Sequence, residues 1–333
     1  MEMHVEFKKA DADDAFEDEA VGGRTPTTDQ SFEKDTHLGR QQRGQLTAYA
    51  LAQLSHQFRC FAFSLFITGK FVRFIRWDRA GAVVSSRFNY TEHPSPLAKF
   101  LWNYSHSSSQ KRGIDTTVTL ACFDDRSEDE IRIRRILGLG KSEPLYRYEV
   151  PEDDQSEQAR KRVEGQGHPL TPYYYYGPMP PCPTMSLIGR STRSLPVVDL
   201  NKQDDDEARV YLKDAWRIDA PLIEKEGDMY RLLHDFKVPH ILPFERGNDV
   251  VTHGYQTQTQ LIALRIWGRG RMEFTGHIHY RMVLGVVGKA LTSFSSSKEL
   301  VSAIRDALIG ELIYCGRRSY LIRIAHCSPY TRI

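Results

Sequence analysis

The sequence has few cysteines, no long hydrophobic run and almost no net charge. Its five cysteines are far apart and form no Cys-x-x-Cys pair, which argues against a disulfide framework or a zinc site and favours a reducing compartment. The longest apolar stretch, FAFSLFI (61–67), is too short to cross a bilayer, and the acidic N-terminus does not resemble a secretion signal. Lys plus Arg (45) nearly equals Asp plus Glu (43), so charge favours neither nucleic acid nor a membrane surface as the partner. We therefore expect a cytoplasmic or nuclear protein whose protein substrate or partner the sequence does not identify.

The composition is that of a folded protein, with 40% hydrophobic and 26% charged residues. Residues 1–36 are polar and acidic, which predicts a disordered tail. Residues 37–110 predict a small α+β module. A helix begins near Gly44, aromatic and β-branched strands separated by turn signals follow, and a second helix starts at Pro96.

The rest of the chain divides into a connector, a second folded unit and a tail. Residues 111–184 are charged and rich in proline, and they include four consecutive tyrosines (173–176), which predicts an irregular connector. The tail is predicted over residues 311–333, and a second α+β unit over residues 185–310. The predicted elements of this second unit are strands at SLIGR (186–190), LPVVDL (195–200) and ARVYLKDAW (208–216), a helix at about 221–234, strands around 260–287 and a helix near 298–309.

Lys213 and Glu226 are the candidate functional pair. Side chains alternate along a strand, so Tyr211 and Lys213 share one face of ARVYLKDAW. On the following helix, Glu226 lies on a stripe with residues 222, 229 and 233, which faces the protein. A carboxylate placed there requires a cation, and Lys213 is the nearest candidate, whereas Glu224 points away from the stripe. An isolated strand lysine is more often a solvated edge residue, so the pairing depends on the helix that follows.

These elements occur in the order of a protein-kinase small lobe. Val210-Tyr211-Leu212-Lys213 resembles the kinase V-A-I-K motif, and RMVLGVVGKAL (281–291) resembles the fifth strand and the hinge. Further stretches at 49–85, 187–193, 210–217, 279–294 and 297–310 are similar to the fungal-type protein kinase family, over roughly residues 40–310.

The resemblance implies a kinase-like fold and a site for ATP with Mg²⁺. In that fold Lys213 would hold phosphates, Glu226 would orient Lys213, and Gly189 would be the one glycine kept from the glycine-rich loop. Leu284 would stand at the gatekeeper position, with the backbone from Gly285 to Val287 facing adenine. The bulky Tyr211, in a place where kinases have a small residue, is expected to crowd this pocket.

Neither the His-Arg-Asp nor the Asp-Phe-Gly triplet of kinases occurs in the chain. The near match at 304–306 lies in a helical pattern, and the one at 235–237 lies before the hinge and lacks the glycine. The resemblance stops after Gly310. We therefore assign no catalytic residue and no metal ligand, and we expect a truncated, inactive kinase-like chain. The alternative is a non-catalytic, pseudokinase-like scaffold in which residues 44–104 bind a partner. His277 and His279 share a strand face, but no third metal ligand has a recognisable spacing.

Overall fold

The structure is a computed structural model that describes residues 2–18, 32–124, 127–153, 172–181, 185–221, 223–251, 254–262, 275–317 and 330–331. Beyond residue 310 only the backbone is described. The helices are α1 (His37–His56), α2 (Ser95–His106), α3 (Glu128–Leu137), α4 (Asp205–Ala208), α5 (Glu226–Asp235) and α6 (Ser297–Arg317). Within these ranges no helix is both long and apolar enough to cross a membrane.

The N-terminal part of the chain forms a five-stranded sheet between two helices. Its strands are β1 (His4–Lys8), β2 (Ala62–Thr68), β3 (Phe71–Asp78), β4 (Gly81–Val84) and β5 (Phe88–Asn89). They run in the order β1-β2-β3-β4, and β5 pairs with β3. The turn between β2 and β3 requires glycine because Gly69 has a φ of 53°. The predicted hairpins of this α+β module are therefore present.

Each face of this N-terminal sheet carries its own apolar core. On one face, Leu46, Ala50 and Leu54 of α1 are fully buried against strand side chains that include Phe66 and Trp77. On the other face, α2 contributes Leu97 and Phe100, which pack on Leu65 and Val72. The sheet is thus enclosed by α1 and α2, and we call this unit, residues 2–18 and 32–106, the N-terminal module.

The prediction of a disordered tail over residues 1–36 is wrong for the residues that the structure describes. Strand β1 pairs in parallel with β2, and Phe16 is buried and stacks on Phe32. Asp14 accepts hydrogen bonds from the buried Arg73, from Nε at 3.0 Å and from Nη2 at 2.8 Å. Composition does not reveal that this segment is folded, because its acidic residues are typical of a disordered tail. In the structure they supply the carboxylates that a buried arginine needs. Residues 19–31 lie outside the described part of the tail.

The second sheet has seven strands in the order β11-β12-β10-β9-β8-β7-β6. Its strands are β6 (Val118–Leu120), β7 (Tyr146–Val150), β8 (Tyr173–Gly177), β9 (Arg193–Val198), β10 (Arg209–Ile218), β11 (Phe244–Asp249) and β12 (His277–Leu284). Their pairings are antiparallel. The longest strand, β10, lies between β9 and β12, so the strand that carries Lys213 is central in this sheet.

The irregular connector predicted over residues 111–184 is also wrong. It contains α3 and three strands of the second sheet, β6, β7 and β8. The tyrosine run forms β8, and Tyr175 is fully buried beside Tyr148 in the core of the sheet. Four tyrosines in a row conceal the alternation of a strand, because only Tyr175 is fully buried although all four residues are alike. Residues 125–126, 154–171 and 182–184 of the predicted connector lie outside the description.

The strand predicted at 186–190 is not formed, since the described residues 185–192 are irregular and β9 begins at Arg193. After β12 the chain passes through β13 (Lys289–Ala290) into α6, which extends beyond the predicted end near residue 309. In the predicted tail, α6 continues to Arg317, and β14 (Tyr330–Thr331) pairs with β13. The predicted α+β fold class is confirmed.

Candidate functional site

Lys213 and Glu226 form the ion pair predicted from the sequence. Lys213 Nζ lies 2.6 Å from Oε1 and 2.9 Å from Oε2 of Glu226. The Lys213 side chain is 12% exposed and that of Glu226 is 26% exposed. The pair is therefore partly shielded from water, which makes the attraction stronger than at a fully exposed surface.

Strand β10 fixes the direction of the lysine. In the register of the sheet, Lys213 is opposite Ser194 of β9 on one side and opposite Met282 of β12 on the other. Tyr211 and Leu284 are opposite each other two positions away, and they lie on the same face as Lys213 because strand side chains alternate. Lys213 therefore projects from the middle of a sheet, at the face that α5 covers.

Helix α5 begins at Glu226, later than the predicted start at residue 221. Glu226 thus belongs to the first turn, where a carboxylate is favourable next to the partial positive charge of the helix N-terminus. The stripe residues Met229 and Leu233 are half-buried, whereas residue 222 lies outside the described residues. Glu224, the rejected partner for Lys213, is exposed.

A second cation reaches the same carboxylate. Arg190 Nη2 lies 3.1 Å from Oε2 of Glu226, and the Arg190 side chain is 35% exposed. Sequence reasoning did not find this residue. The available signal was that an arginine follows Gly189, where a glycine-rich loop would have small residues. The site therefore holds two cations, Lys213 and Arg190, on one carboxylate.

Gly189 lies in the loop before β9, in a conformation that favours glycine, with a φ of 99°. Its N–H donates to the carbonyl oxygen of Arg79 in the N-terminal module at 2.9 Å. Leu187 of the same loop is buried in the core of that module. The loop is thus attached to the N-terminal module, and the Gly189 amide is already hydrogen-bonded. The predicted role of Gly189 in ATP binding stays a prediction.

The three predicted adenine-site residues come together at the end of β12. Leu284 is the last residue of that strand and is 1% exposed, in a cluster with Tyr211 and the partly buried Val287. The Gly285 N–H donates to the carbonyl oxygen of Pro243 at 2.8 Å. Tyr211 is 4% exposed, so its ring occupies space on the face that carries Lys213. The assignment of Leu284, Gly285 and Val287 to ATP binding stays a prediction.

The opposite face of the sheet holds a buried charge cluster. Arg281 Nη2 lies 3.0 Å from Asp115 Oδ2 and 3.2 Å from Asp214 Oδ2, and His279 Nε2 lies 2.5 Å from Asp214 Oδ1. Burial raises the pKa of a carboxyl, but the charge of Arg281 and the hydrogen bond with His279 outweigh it and hold the pKa of Asp214 well below its ordinary value. We call Asp115, Asp214, His279 and Arg281 the buried charge cluster.

The buried charge cluster also resembles a metal site, because ligand atoms of Asp115, Asp214 and His279 all lie within 4.8 Å of one another. The guanidinium of Arg281 already contacts both carboxylates. His277, the other histidine considered in the sequence, is buried on β12 but is not a member of this group. The geometry is that of a structural ion network, and it explains the burial of His279 without a metal.

The two near matches to catalytic triplets have ordinary structural roles. Arg305 and Asp306 form an exposed ion pair of 2.7 Å on α6. Asp235 is the last residue of α5 and lies before β11 and β12 in the chain. Among the described residues, no contact joins either segment to the Lys213–Glu226 pair.

Comparison with known proteins gives a family match. The family model described as fungal protein kinase matches residues 30–269, which is more than two thirds of the chain. Neither the curated proteins nor the solved structures include a significant match. The matched range contains most of the N-terminal module and the loop before β9, as well as Lys213 and Glu226, and it ends before β12.

Proposed function

Because the chain belongs to the fungal protein kinase family, we propose that β8 to β12 and α5 form a small lobe that binds ATP, with Lys213 holding the phosphates and Glu226 orienting Lys213. The observation that carries the proposal is the ion pair itself. A central-strand lysine meets the first-turn carboxylate of the next helix at 2.6 Å. In kinases the same two residue types, in the same order along the chain, hold and orient the lysine that contacts the phosphates.

The residues at the site fit the phosphates of ATP better than they fit a metal ion. Lys213 and Arg190 supply two positive charges, and Glu226 supplies one negative charge. The carboxylate of Glu226 is already bonded to both cations, so it is poorly placed to bind Mg²⁺ as well. Mg²⁺ would reach this site as the Mg·ATP complex, held mainly by phosphate oxygens.

For phosphoryl transfer, the family resemblance implies protein Ser or Thr hydroxyls as acceptors. A kinase also needs an aspartate that positions the hydroxyl and side chains that hold Mg²⁺, which the His-Arg-Asp and Asp-Phe-Gly triplets supply. The chain contains neither triplet. We therefore propose that residues 1–333 bind nucleotide without measurable transfer of phosphate to protein.

The alternative proposal is a pseudokinase-like scaffold that binds a protein partner and no nucleotide. Two observations support it. Tyr211 is buried with Leu284 in the cluster where adenine would lie, and the Gly189 N–H is already bonded to Arg79. Under this alternative, the Lys213–Glu226 pair only joins α5 to the sheet.

Calorimetric titration with Mg·ATP separates the two proposals. We expect the wild-type chain to bind, and Lys213→Met to lose about tenfold or more in affinity, because charged hydrogen bonds to phosphate are lost. Lys8→Met is a matched control, since Lys8 is also a strand lysine in an ion pair, with Glu6 at 2.7 Å, but lies in β1 of the N-terminal module.

Absence of binding by the wild-type chain would favour the scaffold. Equal binding by wild type and Lys213→Met would remove the role assigned to Lys213. A parallel assay with radiolabelled ATP and a generic protein substrate tests for turnover, and any signal that depends on Lys213 would contradict the proposal of binding without transfer.

A further inference from the structure

We propose that Arg190 is a phosphate-binding residue of this site, where it supplies by its guanidinium the contacts that backbone N–H groups of a glycine-rich loop would otherwise make. The inference rests on the proposed nucleotide-binding function and names a residue that the function does not require. Its ligand class is a polyphosphate chain, such as the triphosphate of ATP.

The first argument is the balance of charge at the site. Lys213 and Arg190 both contact the carboxylate of Glu226, at 2.6 and 3.1 Å. One carboxylate balances one of these two cations, so the trio has a net charge of about +1. Glu226 also lies in the first turn of α5, where the helix contributes partial positive charge. The group as a whole attracts an anion.

The second argument comes from the loop that carries Arg190. In a glycine-rich loop, small residues allow the backbone N–H groups to approach the phosphates. Gly189 is the one glycine among the described residues 185–192, and its N–H is bonded to the Arg79 carbonyl oxygen. A guanidinium offers five N–H donors in a planar fork, which suits phosphate oxygens. Arg190 can thus supply donors that this backbone does not.

The third argument is that the backbone of Arg190 is fixed while its side chain keeps donors available. The carbonyl oxygen of Arg190 accepts from the Trp216 N–H at 2.7 Å, which ties the loop to β10 three residues beyond Lys213. The side chain is 35% exposed, and among the described residues only Glu226 accepts a hydrogen bond from its guanidinium, from Nη2. A donor on a fixed backbone requires little reordering when a ligand binds.

The experiment measures binding of sodium tripolyphosphate, ATP and adenosine by calorimetry to the full chain and to Arg190→Ala. We expect this variant to lose about tenfold in affinity for tripolyphosphate and for ATP, and to keep the wild-type affinity for adenosine. Arg190→Lys should recover part of the loss, because it keeps the charge but not the fork.

Arg135→Ala is the matched control, since Arg135 forms a comparable exposed ion pair with Asp205 at 2.7 Å, on α3. A thermal unfolding curve for each variant identifies changes caused by loss of structure. An unchanged ATP affinity in Arg190→Ala, or an equal loss for ATP and adenosine, would overturn the proposal, because Arg190 would then only support Glu226.

The two proposals fail differently. Arg190-dependent binding of tripolyphosphate without any binding of adenosine would overturn the nucleotide function and leave the role of Arg190 intact. Binding of ATP that is independent of Arg190 would overturn the role of Arg190 and leave the nucleotide function intact. A wild-type chain that binds none of the three ligands would overturn both.

Discussion

Gly227 is the buried residue of α5, and it packs against the second sheet. Its N–H donates to the Tyr280 hydroxyl at 3.0 Å. A Cβ atom at this position would lie 2.6 Å from Cζ of Phe244 and 2.7 Å from the Tyr280 hydroxyl oxygen. Both partners belong to the packed apolar cluster under the helix. Glycine thus allows the first turn of α5, and with it Glu226, to approach Lys213.

We expect Gly227→Ala to destabilise the protein by about 1–3 kcal/mol, because the added methyl group overpacks this contact and displaces the helix. The displacement should also weaken ATP binding by moving Glu226 away from Lys213. Urea unfolding measures the first effect and calorimetry the second. Gly44→Ala is the control, since nothing lies within 4 Å of a Cβ there and alanine is the better helix former. A fully stable Gly227→Ala variant would contradict the close packing of α5.

For single residues, the sequence predicts a role only where that role follows from local periodicity. Lys213 and Glu226 could be paired because strand alternation and helix spacing both point them inward. Arg190 and Gly227 could not be found in this way. Their roles depend on where a loop and a helix end meet the sheet, and these contacts join residues 36 and 53 positions apart.

The loop from residue 185 to residue 192 links the N-terminal module to the candidate site. Leu187 is 7% exposed and packs in the core of the module with α1 side chains. Arg79 Nη1 donates to the Leu187 carbonyl oxygen at 3.3 Å, and Gly189 and Arg190 follow directly. The position of Arg190 is therefore set by the module on one side and by β10 on the other.

We expect Leu187→Ala to destabilise the protein by about 2 kcal/mol or more, since it leaves a cavity in the core of the module. It should also increase hydrogen exchange at the amides of Gly189 and Trp216, whose hydrogen bonds hold the loop. Ile188→Ala is the matched control, because the neighbouring Ile188 is 55% exposed. Equal effects of the two substitutions would show that the loop is not held through Leu187.

The elements of the second sheet were only partly predictable. The alternating faces of β10 predict a strand, whereas the tyrosines and prolines around β8 predict a connector, because both residue types are common in extended segments. The predicted strand at 186–190 failed for a tertiary reason, since these residues pack against the N-terminal module and make no strand pairing in the described sheet.

At the scale of the whole molecule, the N-terminal module and the second sheet share buried polar contacts. Arg193 of β9 donates to the carbonyl oxygen of Leu54 at the end of α1. Asp78 of β3 accepts from the backbone N–H groups of Gln258 at 2.8 Å and Thr259 at 3.1 Å. Burial, together with the charge of Arg193, lowers the pKa of Arg79 to about 9. The predicted division into module, connector and lobe missed these contacts, because distant residues form them.

The buried charge cluster predicts how the stability of the molecule depends on pH. The pKa of Asp214 and that of Asp115 lie below their ordinary value of 3.8, because the charge of Arg281 outweighs the effect of burial. In acid the unfolded chain therefore takes up protons before the folded chain does. The stabilisation is complete above about pH 4 and is lost as the pH falls toward the folded-state values, at up to about 1.4 kcal/mol per pH unit for each carboxyl.

Asp214→Asn should therefore lower the free energy of unfolding at pH 7 by about 3 kcal/mol, because Arg281 loses one of its two buried partners. Below pH 4 the variant should lose stability less steeply than the wild type, since one carboxyl with a lowered pKa is gone. Urea unfolding at a series of pH values from 7 to 3 measures both effects. Asp206→Asn is the control, because Asp206 is an exposed carboxyl on α4, away from the buried charge cluster. Parallel pH curves for wild type and Asp214→Asn would show that the cluster does not govern acid stability, since its carboxyls would then titrate alike in the folded and unfolded chains.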